Sequence, residues 1–534
     1  MKTTRSLIAI LGAAIPLGAA MTGSVRVEGG QVAGVPGREA SIAVFKGIPF
    51  AAPPVGKLRW RAPAPVVPWQ GIRKAGEFGT SCIQNIVRER KPWTYEFMAH
   101  NPVGEDCLYL NVWTPAKSAG ERLPVFFWIH GGGNTEGSAA VPVYDGEGLA
   151  KKGLVVVTVN YRLGILGFFT HPELTRESGV QASGNYGLLD QIAALRWVHE
   201  NIAAFGGDPG RVTVAGQSAG AGAAHNLTAS PLARGLFQRA IEESGSSVAS
   251  GPAGNRALAD QEQDGVKFAA AKGAGSLAAL RAMSWEEIVA PVPPAASGGG
   301  TAPYRFGVVV DGYSLPASVA EIFAQGRQND VPELTGCNRG EGGATPHPEI
   351  TADAFRSQAR ERYGDLADEF LRLYPASGDE QARTAQNESS WDQERVAMYL
   401  WAMNRGRTAR AKAYTYFWDH ALPGPDMEKY RAFHTSEVPY VLNSLGMSDR
   451  LFAEADRGIA EMMSSYWANF AATGDPNGKG LPYWPSVSEK PGFTMELGDK
   501  PGIIPVAGSP VKQKLFENYF ANLSVQGSIG ARPR

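Results

Sequence analysis

The sequence predicts an α/β fold in which a mostly parallel sheet is covered by helices on both faces. Short apolar runs alternate along the chain with helix-like patterns such as residues 187–201, where apolar residues recur at helical spacing. Such alternation is typical of parallel strands that are buried on both faces. Because ligands of such sheets bind beyond the carboxyl ends of the strands, functional residues are expected just after the apolar runs. The strand-like runs are Val125 to Ile129, Leu154 to Asn160, Val212 to Ala215 and Ala413 to Trp418.

The composition is that of a globular protein. Of the 534 residues, 43% are hydrophobic and 19% are charged, which is enough apolar material for a large core. The formal net charge is −1 and the chain has no basic block, so nucleic acid and anionic membrane surfaces are poor candidates as partners. No later stretch is long and apolar enough to predict a membrane span.

The first twenty residues have the pattern of a secretory signal peptide. Two basic residues precede an apolar run from Leu7 to Leu17, and the small residues 18–20 follow. At about 1.5 Å per residue, the run is too short to span a hydrocarbon core of about 30 Å comfortably. The sequence therefore predicts a signal peptide over residues 1–20, one domain over residues 21–534, and a secreted or periplasmic protein.

The three cysteines fit an exported protein with one disulfide. Cys82 and Cys107 lie 25 residues apart in a loop-rich region and are the natural pair. Cys337 follows an apolar segment and is predicted to be a buried free thiol.

Ser218 is the candidate nucleophile. It lies at the centre of the motif GQSAG, between the strand-like run RVTVA and the start of a helix. A nucleophile on such a tight turn needs small neighbours, and the helix N-terminus adds partial positive charge near a developing oxyanion. In a chain with 64 glycines the motif alone is weak, so its position between strand and helix carries the prediction.

A second glycine motif lies upstream, where the strand-like run VFFWI ends in His130-Gly131-Gly132-Gly133. Consecutive glycines let backbone N–H groups approach a substrate oxygen closely. An HGGG run after a strand and before GxSxG is typical of the oxyanion hole of esterases and lipases.

A serine hydroxyl needs a general base, and the base needs an orienting acid. His434 is the favoured base because it lies on a predicted loop after the strand-like run AKAYTYFW, and His420, directly after that run, is the second candidate. His347 lies between two prolines, as expected of a solvent-facing loop residue, and His225 lies too close to Ser218 on the following helix.

Two acidic residues follow apolar runs and could orient the base. Glu341 comes after VPELTGCN in a glycine-rich loop, about midway between Ser218 and His434. Asp311, in VVVDGY, is the alternative. The order serine, acid, histidine along the chain is that of α/β-hydrolases.

The chain resembles the type-B carboxylesterase family, which includes the cholinesterases. The resemblance extends from about Val25 to Asn522. It implies an α/β-hydrolase fold with the active site at the base of a deep gorge. It rests on the stretches FKGIPFAAPPVGKLRWRAP, EDCLYLNVWTP, HGGG, NYRLGILGF, GNYGLLDQIAALRWVHENIAAFGGDPGRVTVAGQSAGA and FHTSEVPYV.

Carried over position by position, the resemblance implies a triad of Ser218 as nucleophile, Glu341 as acid and His434 as base. Ester hydrolysis would then proceed through an acyl-enzyme on Ser218, without a metal or an organic cofactor. The expected oxyanion hole consists of the backbone N–H groups of Gly132, Gly133 and Ala219.

The resemblance also assigns residues around the triad. Cys82 and Cys107 match the family's N-terminal disulfide, and Arg59 and Glu105 match a structural ion pair that braces that region. Ser244 is similar to a serine that supports the triad without taking part in the chemistry.

Some positions depart from the family pattern. Gln217, expected beside the triad, stands where many relatives carry glutamate, which removes a negative charge. After the third glycine the sequence continues with Asn134, Thr135 and Glu136, so the rim of the oxyanion hole is expected to be polar. No equivalent of the choline-binding tryptophan is evident, so a quaternary ammonium substrate is not inferred.

These observations predict a carboxylic ester hydrolase that acts on a small-molecule ester, as a monomer or homodimer. Two alternatives use the same resemblance. Non-catalytic binding proteins among the relatives typically lack a triad member, whereas all three are present here. An amidase or a lipase would use the same triad, but a lipase needs a large apolar lid, which the sequence does not indicate.

Overall fold

The structure is a computed structural model that describes residue 21 and residues 23–245, 255–292, 304–341 and 349–530, with side chains described as far as residue 523. The predicted signal peptide at residues 1–20 and His347 lie outside the described residues.

The strands and helices of the described residues are numbered in chain order. The strands are β1 (Ser24–Val27), β2 (Gly30–Ala33), β3 (Val35–Pro36), β4 (Ala43–Pro49), β5 (Ile72–Lys74), β6 (Ser81–Cys82), β7 (Val103–Gly104), β8 (Tyr109–Thr114), β9 (Leu123–Ile129), β10 (Val155–Val159), β11 (Gly207–Gln217), β12 (Arg239–Glu243), β13 (Arg256–Ala257), β14 (Val309–Val310), β15 (Glu333–Asn338), β16 (Ala413–Asp419), β17 (Phe493–Gly498) and β18 (Gly502–Pro505). The helices are α1 (Glu147–Ala150), α2 (Gly164–Phe168), α3 (Pro172–Glu177), α4 (Tyr186–Asn201), α5 (Ala219–Ala229), α6 (Leu258–Ala271), α7 (Leu277–Ala282), α8 (Trp285–Val289), α9 (Val319–Ala324), α10 (Ala352–Tyr363), α11 (Ala367–Leu373), α12 (Asp379–Arg405), α13 (Met427–Tyr430), α14 (Val438–Val441), α15 (Glu454–Thr473) and α16 (Pro510–Gly530).

Eleven of the described strands form one central sheet in the order β18-β17-β16-β15-β12-β11-β9-β10-β8-β4-β3. The seven strands from β17 to β10 pair in parallel, as predicted. The sheet as a whole is mixed, because β18 at one edge and β8, β4 and β3 at the other pair antiparallel. A strand's own apolar pattern does not encode its direction, so the sequence did not predict these edges. The four predicted strand-like runs correspond to β9, β10, β11 and β16, and the predicted helix corresponds to α4.

The sheet is buried on both faces, and β9 illustrates why. Phe127 and Ile129 belong to one core cluster with Leu188 and Ile192 of α4. The alternate residues Phe126 and Trp128 belong to a second cluster, which also contains the aromatic residues of α15. Each of these four β9 side chains is fully buried, and burying one such side chain stabilises the fold by roughly 1.5–3 kcal/mol. A continuous apolar run is therefore what a central strand of this sheet requires.

A disulfide and an ion pair, both predicted from the sequence, stabilise the N-terminal region. Cys82 and Cys107 form a disulfide, whereas Cys337 is a buried free thiol. The Arg59 guanidinium donates two hydrogen bonds of 2.6 Å to the Glu105 carboxylate. The guanidinium also donates to the Met283 carbonyl at 2.7 Å, which joins this region to the segment after α7. Among the described residues, every helix is too short or too polar to cross a lipid bilayer.

Candidate active site

Ser218 lies on a sharp turn between β11 and α5, at the carboxyl end of a central strand. Its backbone has φ 59° and ψ −120°, a conformation that side chains rarely adopt and that costs roughly 1–3 kcal/mol. The Ser218 N–H donates to the Glu243 carbonyl at 2.8 Å, which ties the turn to β12. A Cβ atom at Gly220 would lie 2.1 Å from the Ile129 carbonyl oxygen, so α5 can approach β9 this closely only with glycine there. The strain and the close approach together project the serine beyond the end of the sheet.

The glycine motif after β9 forms a tight turn beside this serine. The Gly132 carbonyl accepts hydrogen bonds of 3.0 Å from the N–H groups of both Thr135 and Glu136. Gly132 has φ 100°, and a Cβ atom there would lie 2.1 Å from the Glu136 carbonyl oxygen, so the turn requires glycine. Gly132 and Gly133 line the same cavity as Ser218. Ala219 is the first residue of α5, where a backbone N–H has no partner within the helix.

Glu341 and His434 meet although 93 residues separate them in the chain. Glu341 Oε2 lies 2.6 Å from His434 Nδ1, and Glu341 Oε1 accepts the Asn338 N–H at 2.7 Å. Burial alone would raise the pKa of Glu341, but the charge of His434 and these hydrogen bonds lower it below its ordinary value. Burial likewise opposes protonation of His434, but Glu341 raises the pKa of the imidazole above its ordinary value of 6.5. The pair therefore holds an ionised carboxylate against Nδ1.

Backbone contacts hold the loops that carry this pair. The Gly340 N–H donates to the Ala432 carbonyl at 2.8 Å, and the His434 N–H donates to the Gly340 carbonyl at 3.0 Å. The Asn338 side chain donates to the Phe433 carbonyl at 2.8 Å. These hydrogen bonds join the loops after β15 and β16 at the carboxyl edge of the sheet, and they fix the position of Glu341 relative to His434.

Gln217 contacts the other nitrogen of His434. Its Nε2 lies 3.2 Å from His434 Nε2, and its Oε1 accepts the Thr435 hydroxyl at 3.3 Å. The amide group is a donor, so Nε2 accepts and Nδ1 carries the proton toward Glu341. Gln217 is buried and contacts His434 on the side opposite Glu341.

Ser244, directly after β12, lies close to Glu341. It has φ 56° and a buried hydroxyl that meets no acceptor at normal hydrogen-bond geometry among the described residues. The hydroxyl nevertheless contributes to the low pKa of Glu341. The supporting role that the resemblance implies for Ser244 stays a prediction.

A cavity of about 280 Å³ opens over Ser218 and His434. Its lining includes the aromatic residues Trp93, Phe97 and Tyr144. It also includes Arg90, which forms an ion pair with Glu136 and lies 5.6 Å from the centroid of the Trp93 ring. Polar residues after the glycine motif therefore line the cavity together with aromatic side chains. Within the described ranges, His, Cys, Asp and Glu side chains do not gather in threes that could hold a metal ion.

The family model of the carboxylesterase family matches residues 21–521. The chain belongs to the carboxylesterase family. The resemblance inferred from the motifs is confirmed at that level, and so is the α/β-hydrolase fold class.

Curated relatives of this carboxylesterase are esterases and hydrolases by name. The fumonisin B1 esterase of Sphingopyxis macrogoltabida is 39% identical, covering 92% of this chain and 90% of the relative. The human cocaine esterase is 34% identical, and the match covers 92% of this chain and 89% of the relative. The rat pyrethroid hydrolase Ces2e is 34% identical, and the match covers 96% of this chain and 90% of the relative. The protein is accordingly a carboxylic ester hydrolase.

The other candidate bases and acids of this carboxylesterase lie in different surroundings. His420 follows β16 and contacts Asp499 and Asp456 with its two ring nitrogens. His225 is buried in α5, with its ring 4.5 Å from that of Trp401. Asp311 accepts the N–H groups of Tyr313 and Leu315 and the Ser314 hydroxyl, so its carboxylate closes a local turn.

Sequence reasoning missed the wall of the cavity contributed by residues 84–99. Gln84, Arg90 and Trp93 line the cavity, and Trp93 Nε1 donates to the His434 carbonyl at 3.0 Å. The disulfide was the available signal, because it ties the start of this segment to Cys107. The pattern of these residues does not by itself indicate which of them face the serine.

Proposed function

We propose that this carboxylesterase hydrolyses small-molecule esters through an acyl-enzyme on Ser218, with His434 as general base and Glu341 as the orienting acid. The observation that carries the proposal is that Ser218 and His434 line one cavity and that Glu341 contacts His434. Ser218 lies there on a strained turn, and Glu341 Oε2 lies 2.6 Å from His434 Nδ1, which leaves Nε2 as the nitrogen that can act on the serine.

The first half of the reaction forms the acyl-enzyme. His434 Nε2 takes the proton of Ser218 Oγ as the oxygen attacks the ester carbonyl carbon. The negative charge that develops on the carbonyl oxygen is held by the N–H groups of Gly132, Gly133 and Ala219. The tetrahedral intermediate then collapses, the C–O bond to the alcohol breaks, and His434 returns its proton to the leaving alcohol.

The second half repeats these steps with water. His434 takes a proton from water as the water oxygen attacks the acyl carbon, and the oxyanion forms in the same place. Collapse breaks the bond to Ser218, which regains the proton from His434, and the carboxylic acid leaves. Apart from the ester and the water, every group in these steps belongs to the chain.

The low pKa of Glu341 supports its proposed role as the acid that orients His434. An ionised carboxylate on Nδ1 stabilises the imidazolium that forms in each transition state, and it keeps the imidazole in the tautomer that leaves Nε2 free of its proton. The Gln217 contact at 3.2 Å fits the same tautomer.

The relatives named above act on different esters by name, so their names favour the reaction class over any one substrate. We propose in addition that residues 1–20 are a signal peptide and that residues 21–534 form a single secreted or periplasmic domain, monomeric or homodimeric. The basic and apolar pattern of the N-terminus supports the first of these points.

Hydrolysis of p-nitrophenyl esters by Ser218→Ala tests the mechanism. The variant should lose at least about 10⁴-fold in kcat, because the nucleophile is gone while the binding groups remain. Mass spectrometry should detect one covalent organophosphate adduct on the wild type and none on Ser218→Ala.

Ser230→Ala is the matched control, since the buried Ser230 follows the opposite end of α5 and does not line the cavity. Its kcat should stay within a few-fold of the wild type, and it should still form the adduct. Full activity of Ser218→Ala, or an adduct on another residue, would contradict the proposal.

A further inference from the structure

Two segments that line the cavity are joined directly to each other. The mouth segment is residues 82–93, which begins at the disulfide. The glycine turn is residues 131–137, which carries two of the three proposed oxyanion donors. The link between them is the side chain of Gln84, which makes a two-bond contact with the backbone of Gly137.

The amide of Gln84 is fully engaged. Its Oε1 accepts the Gly137 N–H at 2.8 Å, and its Nε2 donates to the Gly137 carbonyl at 2.7 Å. The second Nε2 hydrogen goes to the Cys82 carbonyl at 3.0 Å. An amide has two donor hydrogens, and both are used. The side chain therefore has one fixed orientation, between a disulfide-bonded cysteine and the end of the glycine turn.

A second contact joins the same two segments. Arg90 of the mouth segment pairs with Glu136 of the glycine turn, and the Arg90 guanidinium also lies 5.6 Å from the ring centroid of Trp93. The Arg90 side chain is about half exposed, so this pair is weak by itself. The Gln84 contact is neutral, less exposed and bonded to backbone, so it is the stronger restraint on the position of the turn.

We propose that Gln84 is a positioning residue of the oxyanion hole, which holds the glycine turn so that the N–H groups of Gly132 and Gly133 stay aimed at the reacting carbonyl oxygen. The inference rests on the function proposed above. Gln84 acts through the turn and does not itself touch the reacting atoms.

The physical reason is the sensitivity of oxyanion stabilisation to geometry. Donors contribute most when they are already oriented toward the place where charge develops. The far end of the turn is held by Gln84, while its near end continues from β9. Without the amide, Gly137 loses a donor and an acceptor, and the turn gains freedom to move. A displacement of about 1 Å in a catalytic group costs on the order of 100-fold in rate.

The test compares Gln84→Met, which keeps the length of the side chain and removes its hydrogen bonds, with the wild type. For p-nitrophenyl esters we expect kcat to fall about 10- to 100-fold while KM changes less than about threefold, because the loss arises in the transition state. Affinity for a trifluoromethyl ketone, which forms an oxyanion on addition of the serine, should fall by a similar factor.

Gln238→Met is the matched control. The Gln238 amide also bonds backbone, since its Oε1 accepts the Val212 N–H at 2.8 Å and its Nε2 donates to the Gly235 carbonyl at 3.3 Å. It directly precedes β12, contacts the middle of β11 and does not line the cavity. Its kcat and ketone affinity should match the wild type. Gln84→Asn, whose amide is one methylene too short to reach Gly137, gives a second variant if Gln84→Met does not fold.

The outcomes separate this inference from the proposed function. Unchanged kcat in the Gln84 variants, a lower kcat with unchanged ketone affinity, or an equal loss in Gln238→Met would each overturn the positioning role while leaving Ser218 as nucleophile. A wild type that forms no covalent adduct would instead refute the proposed mechanism.

Discussion

His434 and His420 both follow β16, and both contact carboxylates, yet their surroundings differ in one respect. Among the described residues, His434 has a carboxylate on Nδ1 only. Its Nε2 lies 3.2 Å from the Gln217 amide nitrogen, and the residue lines the cavity with Ser218. His420 has Asp499 on Nδ1 at 2.6 Å and Asp456 on Nε2 at 2.9 Å.

The difference identifies what a general base needs. Both ring nitrogens of His420 are engaged by carboxylates, so neither is available to a serine hydroxyl. His420 instead joins the loop after β17 to the first turn of α15, and Asp456 also accepts the Tyr440 hydroxyl at 2.7 Å. A histidine with one carboxylate keeps an accepting nitrogen, and only His434 combines that with a place at the cavity among the described residues.

The largest expected effect is the loss of activity when the imidazole of His434, and not that of His420, is removed. His434→Ala should lose at least about 10⁴-fold in kcat for p-nitrophenyl esters, because Ser218 then has no base. His420→Ala should retain kcat within about threefold but lower the free energy of unfolding by roughly 1–3 kcal/mol, because Asp456 loses a partner. Kinetics and thermal melting of the two variants check this, and the reverse pattern would exchange the two roles.

The carboxylates of the two histidines provide a second test, because Glu341 and Asp499 each lie 2.6 Å from a histidine Nδ1. Glu341→Gln should lower kcat by about 10³- to 10⁴-fold, since the amide no longer stabilises the imidazolium or its tautomer. Asp499→Asn should leave kcat within about twofold. Equal losses in steady-state assays of the two variants would show that contact with Nδ1 matters wherever it occurs, and the assigned site would be wrong.

The smallest expected effect concerns the Nε2 side of His434. The proposed role as general base requires neutral His434, so kcat/KM should fall as the pH drops through its pKa, which Glu341 raises above 6.5. Gln217→Glu places a negative charge where the amide lies 3.2 Å from Nε2 and should raise that pKa further. The acid limb of the pH profile should therefore move to higher pH, with the plateau rate within about tenfold.

Gln217→Met removes the amide without adding a charge, so it provides the control for the pH profile. Its acid limb should not move to higher pH. A shift of equal size in both variants would mean that loss of the amide, not the added charge, controls the titration of His434.

Much of the fold could be predicted from local pattern. The apolar run at β9 predicted a strand buried on both faces, and the helical spacing of residues 187–201 predicted α4. The antiparallel edge strands could not be predicted in the same way. Pairing direction depends on how distant segments meet, and the pattern within β4 or β8 does not record it.

In the candidate site, too, some residues could be predicted from local sequence and others could not. Ser218 and the glycine motif were recognisable because a strained turn and a close backbone approach demand small residues at fixed spacing. The choice between His434 and His420, and between Glu341 and Asp311, stayed open to reasoning from the residues alone and was narrowed only by the family resemblance. The contributions of Gln84 and Trp93 were not anticipated.

The sequence by itself therefore determined the fold class, the reaction class and the serine turn, because each depends on residues close together in the chain. The tertiary structure decided which histidine meets which carboxylate, and which segment braces the glycine turn beside Ser218. Those contacts join residues from 36 to 93 positions apart, and their geometry arises only when distant segments meet in the folded chain.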